Sequence, residues 1–251
     1  MKVASWNVNS VAARRERLLA WLARHQPEVL CLQELKALDD AFPREEVEAL
    51  GYQVALHGQR TYNGVAILSK LPLADVRRGL SDDVPEADSR LISARIGEAR
   101  VVCCYVPNGQ SLTSDKYPYK LAWLDRLKAH LARYEEPLLV CGDFNIAPED
   151  RDVYDPEGLR DDVLVHESVR EKFRALIATG LVDTYRLHVE DAGKYSWWDY
   201  RQLGFPKNRG LRIDFVLAST KLACTGAGID RDERKGKLPS DHAPVWAELT
   251  L

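Results

Sequence analysis

The sequence lacks a strong charge of either sign. Its 251 residues include 35 Lys and Arg against 38 Asp and Glu, which leaves a formal net charge of -3. Overall charge therefore does not indicate a nucleic-acid partner. If the protein binds nucleic acid, its basic residues must be concentrated on one face.

Long hydrophobic runs and targeting signals are also missing. No run of about 18 apolar residues occurs, so we expect no membrane span and no membrane partner. The segment 1–6 contains no charged region followed by an apolar stretch, so we expect no signal peptide. These absences predict a cytoplasmic protein.

Cysteine is scarce, and no two cysteines form a C-x-x-C pair. Four of the five lie in apolar, strand-like runs. We interpret all five as buried reduced thiols, and the alternatives are a zinc site or a disulfide. The five are Cys31, Cys103, Cys104, Cys141 and Cys224.

No linker, charge block, low-complexity segment or short-period repeat interrupts the chain. We therefore predict a single domain over residues 1–251, with 45 % hydrophobic residues to build its core. The apolar segments that end at Asn7 and at Asn145 look alike, which hints at two halves packed together.

Apolar runs of strand length alternate with amphipathic segments. A strand at 3–8, a helix at 14–25 that Pro27 ends, and a strand at 29–32 predict a βαβ unit. Two sheets packed face to face with helices outside would bury these faces. Further strands are predicted at 52–56, 65–68, 91–96, 101–106, 138–141, 213–217 and 245–249, and further helices at 119–134 and 169–179.

Polar residues stand at the ends of these strands, where the binding sites of α/β sheets collect. Amide and carboxylate oxygens suit a hard cation such as Mg²⁺ or Mn²⁺ better than zinc. Glu34 is the first-choice ligand. The candidate metal ligands are Asn7, Glu34, Asp143, Asn145, Asp241 and His242.

Each of these residues also has a plainer interpretation. Asp143 could cap a turn, Glu34 could be a surface residue, and Asp241 with His242 could form a turn. Asp214 is different, because a carboxylate inside an apolar run is costly to bury without a partner. The joint occurrence of these residues at strand ends favours a functional site.

A local positive patch occurs at 199–212 in this acidic chain, and two tryptophans precede it. The patch predicts phosphate contacts, with a solvated loop as the alternative, and Arg14, Lys36 and Arg90 are further basic candidates. Neighbouring residues on an extended strand face opposite ways, so we expect only one of Trp197 and Trp198 to be buried. The basic residues of the patch are Arg201, Lys207, Arg209 and Arg212.

Short motifs give the chain a resemblance to the exonuclease III family of the endonuclease/exonuclease/phosphatase superfamily. Single motifs are weak, but the ordered set is specific and spans residues 5 to 244. The motifs are SWNVN at 5–9, LQE at 32–34, NGVAI at 63–67, YVPNG at 105–109, GDFNIAP at 142–148, SWWDYR at 196–201, RGLRID at 209–214 and SDHAP at 240–244.

The resemblance implies a four-layered α/β sandwich of two mixed β-sheets flanked by helices. It also implies Mg²⁺-dependent hydrolysis of duplex DNA on the 5′ side of abasic sites, with Mn²⁺ as a substitute. Degradation from 3′ ends and removal of 3′-phosphates would accompany this activity, and we expect a monomer.

The residue types allow roles to be assigned within that reaction. Asp143 would orient or deprotonate water, and His242, held by Asp214, would contact the phosphate; which of Asp143 and His242 is the base stays open, as does the number of metal ions. The catalytic candidates are Tyr105, Asp143, Asn145, Asp214 and His242. The DNA-binding candidates are Asn9, Arg90, Asn108, Trp197, Arg201, Lys207, Arg209 and Arg212. The resemblance implies that Trp197 lies in a pocket for the flipped abasic sugar.

Two other functions remain open at this point. Another enzyme of the superfamily, acting on inositol phosphates, sphingomyelin or RNA tails, would share the catalytic core but not Trp197 with its basic neighbourhood. A catalytically silent nucleic-acid-binding regulator would have substituted catalytic residues, whereas Glu34, Asp143 and His242 are present here.

Overall fold

Two six-stranded β-sheets form the centre of the computed structural model, which describes residues 1–250. Within that range there are twelve strands and four α-helices. The strands are β1 (Lys2–Asn7), β2 (Val29–Gln33), β3 (Gln53–His57), β4 (Val65–Ser69), β5 (Ala74–Arg78), β6 (Leu91–Ile96), β7 (Ala99–Tyr105), β8 (Leu138–Asp143), β9 (Leu181–Asp183), β10 (Asp214–Ser219), β11 (Ala223–Ile229) and β12 (Val245–Thr250). The helices are α1 (Arg15–His25), α2 (Arg44–Ala49), α3 (Lys116–Leu131) and α4 (Glu167–Ile177).

The two sheets share one topology. Their strand orders are β11-β12-β1-β2-β4-β3 and β5-β6-β7-β8-β10-β9. In each sheet a central parallel pair, β1 with β2 or β7 with β8, is flanked by antiparallel strands. The predicted two halves are therefore present. The two segments that look alike in sequence do not occupy equivalent places, because this topology matches β8 with β2 rather than with β1.

Three apolar clusters separate four layers. Small residues of both sheets, such as Val3, Cys31 and Cys141, fill the space between the sheets. Trp6, Trp21 and other large side chains pack the first sheet against its outer helices. A third cluster packs the second sheet against α3 and α4. The predicted four-layered sandwich of two mixed sheets is confirmed.

The strands with long apolar runs were predicted well, and the exposed elements were not. β5 carries Arg77 and Arg78 on an exposed edge, so it has no apolar run to reveal it. α2, β9 and β11 were also missed. α3 begins three residues earlier than predicted, because Pro118 is tolerated in the first turn of a helix.

The cysteines are free thiols within residues 1–250. Four are buried as predicted, whereas Cys224 is only partly buried because it lies on edge strand β11. In the same part of the chain, no helix is both long and apolar enough to cross a membrane.

Candidate active site

The shared topology brings the carboxyl ends of the two parallel pairs together. Asn7 ends β1, Tyr105 ends β7 and Asp143 ends β8, while Glu34 directly follows β2. Asp214, the first residue of antiparallel β10, lies opposite Asp143 in the register. Residues that are far apart in sequence therefore meet at one edge of the sandwich.

The buried amide of Asn7 holds the two central carboxylates. Its Nδ2 donates to Glu34 Oε1 at 2.8 Å and to Asp143 Oδ2 at 2.9 Å. The second oxygen of Asp143 accepts from the backbone N–H of Asn145 at 2.8 Å. Both carboxylates therefore have fixed positions before any ligand arrives, which is a requirement for a preorganised site.

This carboxylate cluster has the chemistry of a cation site. Oxygen atoms of Glu34 and Asp143 and a ring nitrogen of His242 lie within 4.8 Å of one another. Burial raises the pKa of Asp143 to about 7, and Asp214 and Glu34 add to the rise while His242 opposes it. A bound cation would relieve this crowding of negative charge, so the residues fit a divalent ion.

A buried chain of hydrogen bonds orients His242. Its Nδ1–H donates to Asp214 Oδ2 at 2.9 Å, and the hydroxyl of Ser196 donates to the same oxygen at 2.6 Å. The other ring nitrogen, Nε2, therefore points to Asp143 Oδ2 at 3.7 Å. The carboxylate partner thus sets the ring orientation, as in other hydrolytic sites.

His242 is positively charged in this environment. Burial acts to lower its pKa, but the carboxylates of Asp214 and Asp143 outweigh burial and raise the pKa to about 10. At neutral pH both ring nitrogens therefore carry protons. An imidazolium donates to anions, but a ring nitrogen of His242 also lies within 4.8 Å of the Glu34 and Asp143 oxygens, so a ligand role for His242 stays a prediction.

Three other predicted metal ligands make different contacts. Asn7 reaches the carboxylates through its amide nitrogen, and its oxygen accepts from the backbone of Asn9. Asn145 uses its oxygen to accept from Asn108 at 3.2 Å. Asp241 lies outside the cation cluster because its oxygens accept from Asn9 and from the indole of Trp197. These contacts depend on partners distant in sequence and do not test a ligand role, so Asn7, Asn145 and Asp241 stay predicted ligands.

Asp241 instead holds the rim of the site. Its carboxylate accepts from Asn9 Nδ2 at 2.9 Å and from Trp197 Nε1 at 3.0 Å. Burial opposes its ionisation, but the charge of His242 and these two hydrogen bonds outweigh burial and hold its pKa below the usual value. Asp241 is therefore an anion that fixes the indole plane of Trp197.

Tyr105 lines the site, and Arg90 packs against its ring. The guanidinium of Arg90 lies 5.0 Å from the centroid of the Tyr105 ring. Burial raises the pKa of Tyr105 well above its usual range, and the neighbouring charges of Glu34 and Asp143 raise it further. Tyr105 therefore stays a phenol that can donate its proton in a hydrogen bond.

These residues line a cleft of ≈ 310 Å³. Its lining combines the polar side chains of Glu34, Asp143 and His242 with an apolar wall of Trp197, Leu164 and Ile213. Trp198 is 0 % exposed and packs in a separate apolar cluster, so the expectation that only one of the two tryptophans is buried is confirmed. The cleft thus places an apolar wall beside the acidic centre.

The predicted basic patch is present in part. Arg201, Lys207 and Arg209 are exposed, and a second cleft of ≈ 280 Å³ is lined by Arg201 and Arg209 together with Trp197 of the site. Arg212 was predicted as a phosphate contact, and this prediction was wrong because its side chain is 1 % exposed. It forms ion pairs with Asp152 at 2.6 Å and Asp183 at 2.7 Å, so it is a structural cation.

The other predicted basic residues lie around the rim. The ammonium of Lys36 lies 3.0 Å from Glu34 and donates to Asn9 Oδ1 at 2.6 Å. Arg14 is tied to the backbone oxygen of Asn9 and to the hydroxyl of Tyr200. Asn108 is exposed at the mouth of the cleft.

Sequence reasoning missed two polar residues of the site. Ser196 orients Asp214, and no pattern marked it beyond its place in the SWWDYR motif. Lys120 is completely buried beneath the cleft. A signal for Lys120 did exist, because it stands on the helical stripe formed with Leu124, Leu127 and Leu131, where an apolar residue is expected.

Comparisons with known proteins agree with this geometry. Residues 4–242 match the model of the Endonuclease/Exonuclease/phosphatase family. Exodeoxyribonuclease III of Haemophilus influenzae is 40 % identical over 99 % of this chain and 100 % of its own length. DNA repair nuclease APEX1 of Danio rerio is 30 % identical over 100 % of this chain and 83 % of its own length.

Solved structures extend the likeness to the whole fold. An AP endonuclease from Archaeoglobus fulgidus superposes with a TM-score of 0.94 at 35 % identity, covering 100 % of both chains. The 3'-5' exonuclease NExo from Neisseria meningitidis superposes with a TM-score of 0.95 at 39 % identity, again over 100 % of both chains. The chain therefore belongs to the Endonuclease/Exonuclease/phosphatase family.

Proposed function

We propose that this protein is a DNA-repair phosphodiesterase that cleaves duplex DNA on the 5′ side of abasic sites and also trims and dephosphorylates 3′ ends. The observation that carries the proposal is the cleft in which an imidazolium and two carboxylates face the apolar wall of Trp197. The relatives' names support it, since they include an exodeoxyribonuclease III, an AP endonuclease and a 3′ phosphatase, NExo, bound to a product DNA hairpin.

Mg²⁺, with Mn²⁺ as a substitute, fits the carboxylates of Glu34 and Asp143 because both are hard oxygen ligands. When bound, such a cation neutralises charge that develops on the phosphoryl oxygens. The protein's part is to hold Glu34 in place through Asn7 and to shape a site that excludes most solvent.

Water activation is the role that we assign to Asp143. Its buried carboxylate, held by Asn7 Nδ2 and by the backbone N–H of Asn145, is placed to accept a proton from water in the cleft. The proton of the attacking water would pass to its carboxylate, and Asn145, bonded to Asp143 through its backbone N–H, would fix the direction of attack. His242, protonated, would then act as a donor to the phosphate rather than as the base.

Charge on the phosphate and on the leaving oxygen needs further donors. His242 Nε2–H faces the cleft and would stabilise the phosphoryl oxygens as they gain charge. The phenol of Tyr105 would donate to the scissile phosphate or to the leaving 3′-oxygen. Asp214 and Ser196 act through His242, because they fix its ring and its charge.

Lesion recognition is the role that we assign to the apolar wall. The ring of Trp197, held by Asp241, packs beside Ile213 and Leu164. A deoxyribose without a base fits against such a wall, whereas an intact base needs more room. Asn9 contributes by fixing Asp241.

Exposed cations around the cleft would hold the DNA backbone. Arg201, Lys207 and Arg209 are exposed, and the partly exposed Arg90 and Lys36 could add to them although they also pair with Asp88 and Glu34. Phosphate contacts of this kind position a protein on DNA without reading the sequence. They explain how a chain of net charge -3 could bind a polyanion.

We further propose that the protein works as a monomer and a single domain, in the cytoplasm, where its free buried thiols stay reduced.

The proposal is tested with a duplex that carries one tetrahydrofuran abasic-site analogue, beside an intact duplex of the same sequence. We expect Mg²⁺-dependent cleavage at the analogue, no cleavage with EDTA, and slow degradation of the intact duplex from its 3′ ends. Binding without cleavage at any Mg²⁺ or Mn²⁺ concentration would instead indicate a silent nucleic-acid-binding regulator. Faster hydrolysis of an inositol phosphate than of DNA would indicate another activity of the superfamily.

A further inference from the structure

Lys120, on α3, is an amine buried without an ion-pair partner among residues 1–250. Burial lowers its pKa to about 7, while the charges of Asp143 and Asp162 oppose the fall. Its side chain is 0 % exposed, and no ion pair includes it within that range. Removing an ammonium from water is costly unless its protons find acceptors. Methionine or leucine would fill the same position on the apolar stripe without that cost, so packing alone does not explain a lysine here.

Three backbone oxygens surround the ammonium. Its Nζ donates to the carbonyls of Asn145 at 2.6 Å, Val163 at 2.8 Å and Asn108 at 3.0 Å. An ammonium has three N–H donors and no acceptor, so three carbonyls satisfy it completely. The lysine therefore makes a three-way link that no neutral side chain of this length can make.

The three carbonyls belong to three separate loops that line the active cleft. Asn108 follows β7, Asn145 follows β8, and Val163 precedes α4. All three residues contribute to the wall of the cleft. The side-chain amide of Asn108 also donates to Asn145 Oδ1 at 3.2 Å, so the first two loops are joined on both sides of the backbone.

Asn145 has an unusual backbone conformation that its hydrogen bonds hold in place. Its φ is 50°, in the left-handed region that few residues other than glycine and asparagine adopt. The Asn145 N–H bonds to Asp143 and its carbonyl bonds to Lys120, so both ends of the residue are held. The loop of Asn108 also rests on the lysine stem, since a Cβ on Gly109 would lie 3.1 Å from Lys120 Cδ.

We propose that Lys120 is a positioning residue for the phosphodiester cleavage, whose ammonium ties three loops together so that Asn108, Asn145 and the hydrogen-bonded Asp143 face the scissile phosphate. This inference rests on the proposed function. Lys120 does not contact the substrate, because it is buried below the loops that it links. Replacing Lys120 should therefore slow the chemical step more than it weakens DNA binding.

The test compares Lys120→Met with Lys128→Met, an exposed lysine of the same helix. Single-turnover cleavage of the abasic-analogue duplex and DNA affinity are measured below the unfolding temperature of each variant. We expect the single-turnover rate constant of Lys120→Met to fall on the order of 10²-fold, since a displacement of the catalytic groups by about 1 Å costs that much. DNA affinity should change less than about threefold, and Lys128→Met should match the wild type.

A chemical rescue separates positioning from packing. n-Propylammonium has the length and charge of the part removed in Lys120→Ala, so it should restore activity per folded molecule in a saturable way. n-Propanol should not, and Lys120→Met, whose side chain fills the space, should not respond. If Lys120→Met fails to fold, the Lys120→Ala rescue decides alone.

Two results would overturn the inference: wild-type kcat in a folded Lys120→Met variant, or equal responses of Lys120→Ala to propylammonium and propanol. Failure of the proposed function looks different, because the wild type itself would then leave the abasic analogue uncut.

Discussion

Asp214→Asn tests the assignment of His242 as an imidazolium. The change keeps the size of the side chain but removes the charge that lies 2.9 Å from His242 Nδ1. Asp214 is the carboxylate that contributes most to raising the pKa of His242. Without it, burial acts against the charged ring, so the pKa of His242 should fall towards or below its ordinary value.

The size of the effect follows from the burial of the pair. The side chains of His242 and Asp214 are 4 % and 0 % exposed, so neither charge is screened by solvent. Removing one partner of such a pair costs about 3–5 kcal/mol of folding stability. The cleavage rate should fall by roughly 10²- to 10⁴-fold, the range for losing an oriented acid–base group.

The stability effect also has a pH dependence. The folded-state pKa of His242, about 10, lies above the unfolded-state value near 6.5, so the folded state keeps a proton that the unfolded state loses. This contribution is complete below about pH 6.5 and disappears as the pH rises through about 10. The stability difference between wild type and Asp214→Asn should shrink across the same window.

The assay is NMR of the His242 ring protons in the metal-free protein, combined with denaturant unfolding at several pH values. We expect wild-type His242 to remain protonated at pH 8 and the variant ring to be neutral there. Ser196→Ala is the milder comparison, because it removes a hydrogen bond to Asp214 but no charge. An unchanged His242 pKa in Asp214→Asn, together with an unchanged rate, would refute the reasoning.

Four further predictions follow from the contacts of single residues. Glu34→Ala should bind Mg²⁺ much more weakly in a titration, with partial rescue of cleavage by Mn²⁺; a wild-type titration would remove Glu34 from the cation site. Asp143→Asn should lose on the order of 10²-fold or more in single-turnover rate while DNA affinity changes little, and an equal loss of both would contradict a role in the chemical step. Arg209→Gln should reduce the log-log salt slope of DNA binding by about one, whereas Arg212→Gln should lower the melting temperature and leave that slope unchanged. Trp197→Ala should lose the preference for abasic over intact duplex but keep the salt slope, and a retained preference would return Trp197 to a packing role.

The fold was predictable where burial leaves a strong pattern. β1, β2 and β8 are buried almost throughout, so each appears as an apolar run that ends in polar residues. The exposed edge strand β5 and the short helix α2 have no such run, because solvent-exposed positions tolerate most residue types. The predicted start of α3 was also too late, because the first turn of a helix tolerates proline and Pro118 lies in that turn.

The sequence predicted most of the residues that form the site but not the contacts that their side chains make. Glu34, Asp143 and His242 converge because parallel strands place their ends together. Whether a side chain such as Asn7 faces a cation with its oxygen or a carboxylate with its nitrogen depends on partners distant in sequence. The same limit explains Arg212, whose counter-ion Asp152 lies 60 residues away and turns an apparent surface cation into a buried one.

Hydrolysis at the 5′ side of an abasic site is the central claim, and the position of the new bond tests it most directly. A duplex with one natural abasic site is cleaved in ¹⁸O-labelled water, and both new ends are analysed by mass spectrometry. Water attack at phosphorus predicts a 3′-hydroxyl on the upstream fragment and one ¹⁸O in the 5′-phosphate that retains the abasic sugar. An unsaturated aldehyde at the 3′ end, with no label in the phosphate, would show elimination instead and contradict the roles given to Asp143 and His242.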